Sequence, residues 1–232
     1  MKTIGLLGGL SFESSIEYYR LINEGVQKHL GGVHSARCLL YSFDFGEVER
    51  LQHLGAWEAL TDLMSDAAIR LQGAGADFLV ICSNTMHRTA EDIERRSGLP
   101  LLHIADPTAA AIQAQGLHRV GLLGTAFTME ERFYRARLEE RFGLTVLVPE
   151  TAARAQVHRI IYEELVVGRI LPESRALYQA VIGDLIDAGA EGVILGCTEI
   201  GLLIHPDDVS IPVFDTTELH AEAAVRRALD AP

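Results

Sequence analysis

Short apolar runs alternate along the chain with longer stretches in which apolar residues recur every three or four positions, the rhythm of strands followed by helices. Residues 3–7 form the first run, which breaks at Gly8-Gly9. Ser11 then offers an N-cap to a predicted helix reaching about residue 30, with Tyr19, Ile22, Val26 and Leu30 along one face and Gly31-Gly32 to stop it. Residues 38–45 read as the second strand. A helix over 57–71 carries Leu60, Leu63, Ala67 and Leu71 on one side, and residues 78–82 form a third strand. A helix to about residue 96, a strand at 101–104 and a helix at 108–115 follow. Strands alternating with helices throughout predict an α/β protein of parallel sheets with helices on both faces.

The pattern then restarts. Val120-Gly121-Leu122-Leu123-Gly124-Thr125 repeats Ile4-Gly5-Leu6-Leu7-Gly8-Gly9. After it come a predicted helix over 129–141, a strand at 144–148, helices over 157–167 and 173–188, and a strand running into Cys197. Pro212-Val213-Phe214 echoes Pro100-Leu101-Leu102, and a helix over 218–229 closes the chain. A duplicated lobe is the simplest reading. It predicts two pseudo-symmetric lobes, residues 1–104 with 211–232 and residues 105–210, facing each other across one cleft that holds the active site.

Within the repeat, two strand ends align without a gap. Ala74-Gly75-Ala76-Asp77 leads into one strand and Ala188-Gly189-Ala190-Glu191 into the other, which sets Ser83 opposite Cys197 and Cys82 opposite Gly196. Side chains alternate faces along a strand, so Cys82 and Ser83 should point in opposite directions. Cys82 is therefore expected in the core.

Composition narrows the function. A formal charge of −12 with no Lys/Arg cluster argues against nucleic acid and against anionic membranes. No apolar run approaches the ~18 residues of a membrane helix, and the first ten residues are too short and glycine-rich for a signal peptide, so a cytoplasmic protein is expected. The three cysteines, Cys38, Cys82 and Cys197, are far apart and lack any C-x-x-C spacing, so a zinc site and a disulfide framework are both disfavoured. No histidine spacing suggests a metal. A reduced thiol among them is then available for catalysis.

In such folds ligands bind beyond the carboxyl ends of the strands. Residues 8–11, with Leu10 and Ser11, lie at one such end; Ser83, Asn84 and Thr85 lie at another; Thr125 and Thr128 follow the repeat of the first; and Thr198 and Glu199 follow Cys197. Gly8-Gly9 and Gly124-Thr125 each open a helix, where backbone N–H groups attract an anion such as a carboxylate; tight strand-to-helix turns are the alternative reading of the same glycines. A helix starting after Cys197 would favour its thiolate. His87, one turn past Asn84, could hold a loop or assist proton transfer.

At these residues the chain resembles the aspartate/glutamate racemase superfamily, most closely its aspartate racemase and broad-specificity amino acid racemase branch. The resemblance runs over essentially the full length and rests on residues 4–11 with Tyr18-Tyr19 and Ile22-Asn23, Asn84-Thr85-Met86-His87, Gly124-Thr125 with Thr128, and Gly196-Cys197-Thr198-Glu199. It implies two lobes, often a dimer, and racemisation of a small acidic amino acid by two opposed cysteines without cofactor. Cys197 is then one acid/base, Asn84 and Thr85 hold substrate, and Thr198 and Glu199 complete the second lobe's site. Two positions depart from the pattern. Ser83 stands where the family has its first cysteine, and Val166 stands where a basic residue is usual. Arg50 and Gln52, expected in the loop after the second strand, are substitutes for that base, with Gln52 preferred as a neutral donor. A one-cysteine decarboxylase of the same fold and a binding protein that has lost catalysis are the rival readings.

Overall fold

A computed structural model describes residues 1–230. The described chain divides into two compact units, residues 1–103 with 220–230, and residues 104–219. In the first, β1 (Ile4–Gly8), α1 (Phe12–Leu30), β2 (Cys38–Ser42), α2 (Phe45–His53), α3 (Trp57–Gly73), β3 (Phe78–Ile81), α4 (Ala90–Ser97) and β4 (Leu101–Leu102) follow one another. The second contains α5 (Ala105–Ala114), β5 (Arg119–Gly124), α6 (Ala126–Glu130), α7 (Arg132–Ala136), β6 (Thr145–Leu147), α8 (Thr151–Glu163), α9 (Pro172–Asp187), β7 (Gly192–Gly196) and β8 (Val213–Asp215). Helix α10 (Thr216–Leu229) ends the chain.

Each unit holds a four-stranded parallel sheet of the same order, β2-β1-β3-β4 and β6-β5-β7-β8. The duplication extends to register. Ile4 pairs with Phe78 in one sheet, and their repeats Val120 and Gly192 pair in the other. In both sheets the strand order reverses at the junction of the first and third strands, and such a switch point opens a crevice beyond the strands' carboxyl ends. Gly8 with residues 82–85 occupies that position in one unit, and Gly124 with residues 197–199 in the other.

The turns into the third strands are also repeated. Gly75 (φ 97°) and Gly189 (φ 94°) take left-handed conformations that only glycine adopts at little cost. The acid two residues later ties the turn to the start of the neighbouring strand: Asp77 Oδ2 accepts the Thr3 N–H at 2.6 Å, and Glu191 Oε2 accepts the His118 and Arg119 N–H groups at 2.7 and 2.8 Å. Those two bonds hold the Glu191 carboxyl below its ordinary pKa.

Alternation along β3 divides the first unit's core. Phe78, Val80 and Cys82 pack with Ile4, Leu6, Tyr18, Ile22 and Val26, whereas Leu79 and Ile81 pack with Leu7, Leu60, Met64 and Met86. Burying each of these large side chains contributes ~1.5–3 kcal/mol before the cost of ordering it. The second unit has one continuous core, to which α5 supplies Ala105, Ala109 and Ile112.

The structure moves several expected boundaries. The start of the first lobe's last segment lies at residue 220 and not 211, because Val213–Asp215 pairs with β7 in the second sheet. Residues 220–230 belong to the first unit, where Ala221, Ala224, Val225 and Ala228 pack with Tyr18 and Ile22. The predicted helix over 129–141 is three pieces, α6, α7 and a π turn at Arg137–Arg141, and the helix at 157–167 begins earlier and ends in a 3₁₀ turn at Leu165–Val167. Helix α2 replaces the predicted loop that carried Arg50 and Gln52. Asp44 caps it, accepting the Gly46 N–H at 3.1 Å.

Candidate active site

In the first unit, α1 starts where β1 ends because Ser11 caps it, its hydroxyl accepting the Ser14 N–H. Ser14 Oγ then spans the two strand ends, with Ser11 O at 3.0 Å and Cys82 O at 3.2 Å. Gly9 completes this corner. Its φ of 71° is left-handed, and a Cβ there would lie 2.3 Å from the Phe43 carbonyl oxygen, so no other residue fits. After Cys82 the chain leaves the strand and winds into a 3₁₀ turn, Thr85–Thr89. Ser83 is anchored twice: its hydroxyl accepts the Met86 N–H at 3.4 Å, and its carbonyl lies 2.7 Å from His87 Nδ1. A carbonyl only accepts, so His87 carries its proton on Nδ1. Asn84 and Thr85 are buried on this turn. Gln52 reaches the same turn from α2, its amide donating to Met86 Sδ at 3.2 Å.

Behind the turn lies a buried aromatic group. The His87 ring lies tilted against that of His103 and edge-on to that of His220, with centroids 4.6 and 5.6 Å apart. His220 Nε2 lies 2.9 Å from the Leu102 carbonyl and must donate to it, which leaves Nδ1 to accept the Tyr18 hydroxyl at 2.8 Å.

In the second unit Thr125 caps α6, accepting the Thr128 N–H at 3.3 Å, and the two threonine hydroxyls lie 3.2 Å apart. Thr128 packs against Gly124 and Gly196, where any larger residue would collide with the facing strand. Cys197 follows Gly196 directly. Its thiol lies 3.0 Å from Glu199 Oε2, and the Thr198 hydroxyl donates to that same oxygen at 2.6 Å. Burial and the Glu199 carboxylate push the Cys197 thiol well above its ordinary range, the Asp215 charge adds to this, and the Glu199 backbone N–H opposes it. At neutral pH Cys197 rests as a thiol.

Several expectations need correction here. The chain after Cys197 forms a three-residue 3₁₀ turn, Ile200–Leu202, not a helix, so no helix dipole favours a thiolate. The anion cradles are largely filled from within: the Gly9 N–H donates to Ser15 Oγ at 2.7 Å and the Ala126 N–H to His158 Nδ1 at 3.1 Å. Of the two substitutes for a basic residue, Arg50 is exposed and Gln52 buried. Leu10 and Val166 turn their side chains into apolar clusters. Cys82 lies in the core, as its strand parity requires, and burial pushes its thiol up.

Sequence reasoning missed Ser14 and Ser15, whose signal was the run of hydroxyls in the first turn of α1. It also missed His158, which caps Ala126 from 32 residues away and leaves no local trace.

Two repeated parallel sheets, each ending at its switch point in short polar side chains, one of them beside a thiol bonded to a buried carboxylate, define a duplicated α/β protein. Comparison with known proteins gives the lineage. The family model described as Asp/Glu/Hydantoin racemase matches residues 7–224, and the chain belongs to that family of racemases. It is 24% identical over 227 residues to the broad specificity amino-acid racemase RacX of Bacillus subtilis, covering 96% of each chain. It superimposes on a crystal structure from Yersinia pestis, described as a candidate Asp/Glu racemase, with a TM-score of 0.92 and 54% identity, covering 99% of this chain and all of that one. A structure of an aspartate racemase homologue from Pyrococcus horikoshii matches with a TM-score of 0.85 and 35% identity over 99% of this chain and 100% of the other. Among the described residues no helix is long and apolar enough to cross a membrane.

Proposed function

We propose that this protein racemises an acidic amino acid, aspartate or glutamate, without a cofactor, by removing and returning the α-proton. Cys197 is the acid/base on one face of the substrate, and Ser83 serves the other. The observation that carries this reading is the repeat itself: Ser83 and Cys197 follow equivalent strands of equivalent sheets, and only Cys197 is a thiol bonded to a carboxylate. Asn84, Thr85, Thr125, Thr128 and Thr198 supply neutral donors for the substrate carboxylates, Gln52 stands in for the missing basic residue, and Ser11 and Glu199 hold the loops that present them. Leu10 and Val166 give shape. The working form is a cytoplasmic homodimer.

A serine hydroxyl is a poor base near neutral pH, so the Ser83 face limits inversion. Enantiomers have equal free energy in water, so this deficit slows both directions equally. Exchange escapes that limit. Cys197 can take the α-proton of the enantiomer presented to it and return a deuteron to the same face. The test is proton NMR of each aspartate and glutamate enantiomer in deuterated buffer. Loss of the α-hydrogen signal with no protein-dependent inversion at all, or no loss for any of the four, would refute racemisation. The second reading, a one-thiol decarboxylase, draws on Ser83 as well, and carbon dioxide release from a substituted malonate would select it.

A further inference from the structure

Glu199 is buried, and its Oε2 receives two donors at once, the Cys197 thiol and the Thr198 hydroxyl. A carboxylate set 3.0 Å from a thiol does two opposed things. Its charge disfavours the thiolate, yet it is a base in direct contact with the proton that must leave. The sulfur has little other help. Asp215 at the end of β8 adds negative charge, and Tyr178 on α9 donates its hydroxyl to the Val157 carbonyl at 3.1 Å and so is committed elsewhere. Glu164, near Tyr178, accepts the Ser174 hydroxyl.

We infer that Glu199 is the proton partner of Cys197: the pair holds one proton, and the carboxylate takes it from sulfur when the substrate's α-proton is to be removed. This deepens the reading of Cys197 as acid/base and rests on it. In the step, the Cys197 S–H bond breaks and an O–H bond forms on Glu199 Oε2. The thiolate then takes the α-hydrogen as a proton, re-forming S–H, while the C–H electron pair stays on the substrate's α-carbon. One negative charge passes from Glu199 to the substrate. No net charge enters the buried site, which is why a thiol held so far from ionising can still act as a base. Thr198 holds the acceptor in place, its hydroxyl donating to the same Oε2 at 2.6 Å. Glu199 acts through Cys197 and is a positioning residue.

The experiment pairs two readouts on Glu199→Gln, an isostere that can still accept both donors but cannot take a proton. The first is the pH dependence of iodoacetamide alkylation of Cys197, followed by the mass of its peptide. The second is α-hydrogen exchange in deuterated buffer. With the carboxylate charge gone, the alkylation midpoint should fall by a unit or more, so alkylation at neutral pH speeds up ~10-fold or more. Exchange should move the other way, falling ~100-fold or more, with partial recovery in Glu199→Asp. The two readouts must diverge. Exchange that stays level or rises in Glu199→Gln overturns the inference, as does an alkylation midpoint that does not move. If the parent exchanges no amino acid, the racemase reading fails, and the alkylation midpoint alone decides whether the pair shares a proton. Should Glu199→Gln not fold, Thr198→Val replaces it. Loss of that hydroxyl releases Glu199 Oε2 from its place against the thiol, so the Cys197 alkylation midpoint falls while exchange slows, and an unmoved midpoint overturns the inference.

Discussion

Ser14 Oγ lies 3.2 Å from the carbonyl oxygen of Cys82, tying the first turn of α1 to the end of the third strand. The Cys82 side chain lies in the core, beside Ile4, Leu6 and Val80. Ser83, one residue later, stays out of that cluster, and its partner in the repeat is Cys197.

Cys197→Ala should therefore lower α-hydrogen exchange at least ~100-fold, while Cys82→Ala keeps most of it and loses only about 1–2 kcal/mol of stability through the small cavity left behind. Urea denaturation and deuterium exchange on both variants measure this. An inactive, folded Cys82→Ala with an active Cys197→Ala would reverse the assignment.

Ser83→Cys restores a thiol at the equivalent position of the first unit. Interconversion of the enantiomers should rise about tenfold or more, since a thiol can serve as base and, once protonated, as acid. Polarimetry at matched pH is the check. A folded double-thiol variant that inverts no faster than the parent would remove Ser83 from the reaction.

Two glycine substitutions should have opposite signs. Gly9→Ala meets a left-handed φ and the Phe43 backbone, and should cost ~2 kcal/mol or more. Gly73→Ala, at the last turn of α3 with nothing near its added methyl, should stabilise by ~0.5 kcal/mol. Thermal melting of the two variants gives the answer, and equal shifts would contradict the geometry.

Burial raises the Asp215 carboxyl to about 6, against the attraction of the Thr217 and Glu218 N–H groups bonded to its Oδ1. The folded protein thus keeps a proton that the unfolded chain loses near pH 4. The stability linked to this group is complete below about pH 4 and is lost as pH rises through 6. Asp215→Asn removes that loss while keeping an acceptor for both N–H groups. It should match the parent at pH 4 and exceed it by about 3 kcal/mol at pH 8. A variant less stable than the parent at pH 8 would show that the charged carboxylate is favoured in the folded state.

The strands and their register were legible because parallel strands buried on both faces are short apolar runs with little else to read them as, and because the chain states the pattern twice. Helix α2 was not legible. Its inward positions are Val48 and Gln52, and the buried amide that makes it of interest breaks the apolar stripe that would have revealed it. The helix predicted over 129–141 failed for the opposite reason. Its periodicity is good, but Glu131 takes an extended backbone between α6 and α7, a break that no Gly or Pro signals. For the candidate site, strand parity in the repeat register assigned Cys82 to the core, where it lies, which spacing alone could not. The protonation state of Cys197 was beyond reach, since it depends on where the Glu199 carboxylate turns.

The first unit is not finished by the residues that begin it. Its core is closed by Ala221, Ala224, Val225 and Ala228, and the Tyr18 hydroxyl bonds to His220. During synthesis the opening sheet must therefore wait, with the Tyr18 face of α1 uncovered, until more than a hundred further residues have left the ribosome. The unit spanning residues 104–219 is continuous in sequence and can consolidate first. The order of maturation is thus the reverse of the order of translation. A nascent chain arrested before residue 220 should expose the Tyr18 face to chaperones, and release of the last helix is the event that buries it.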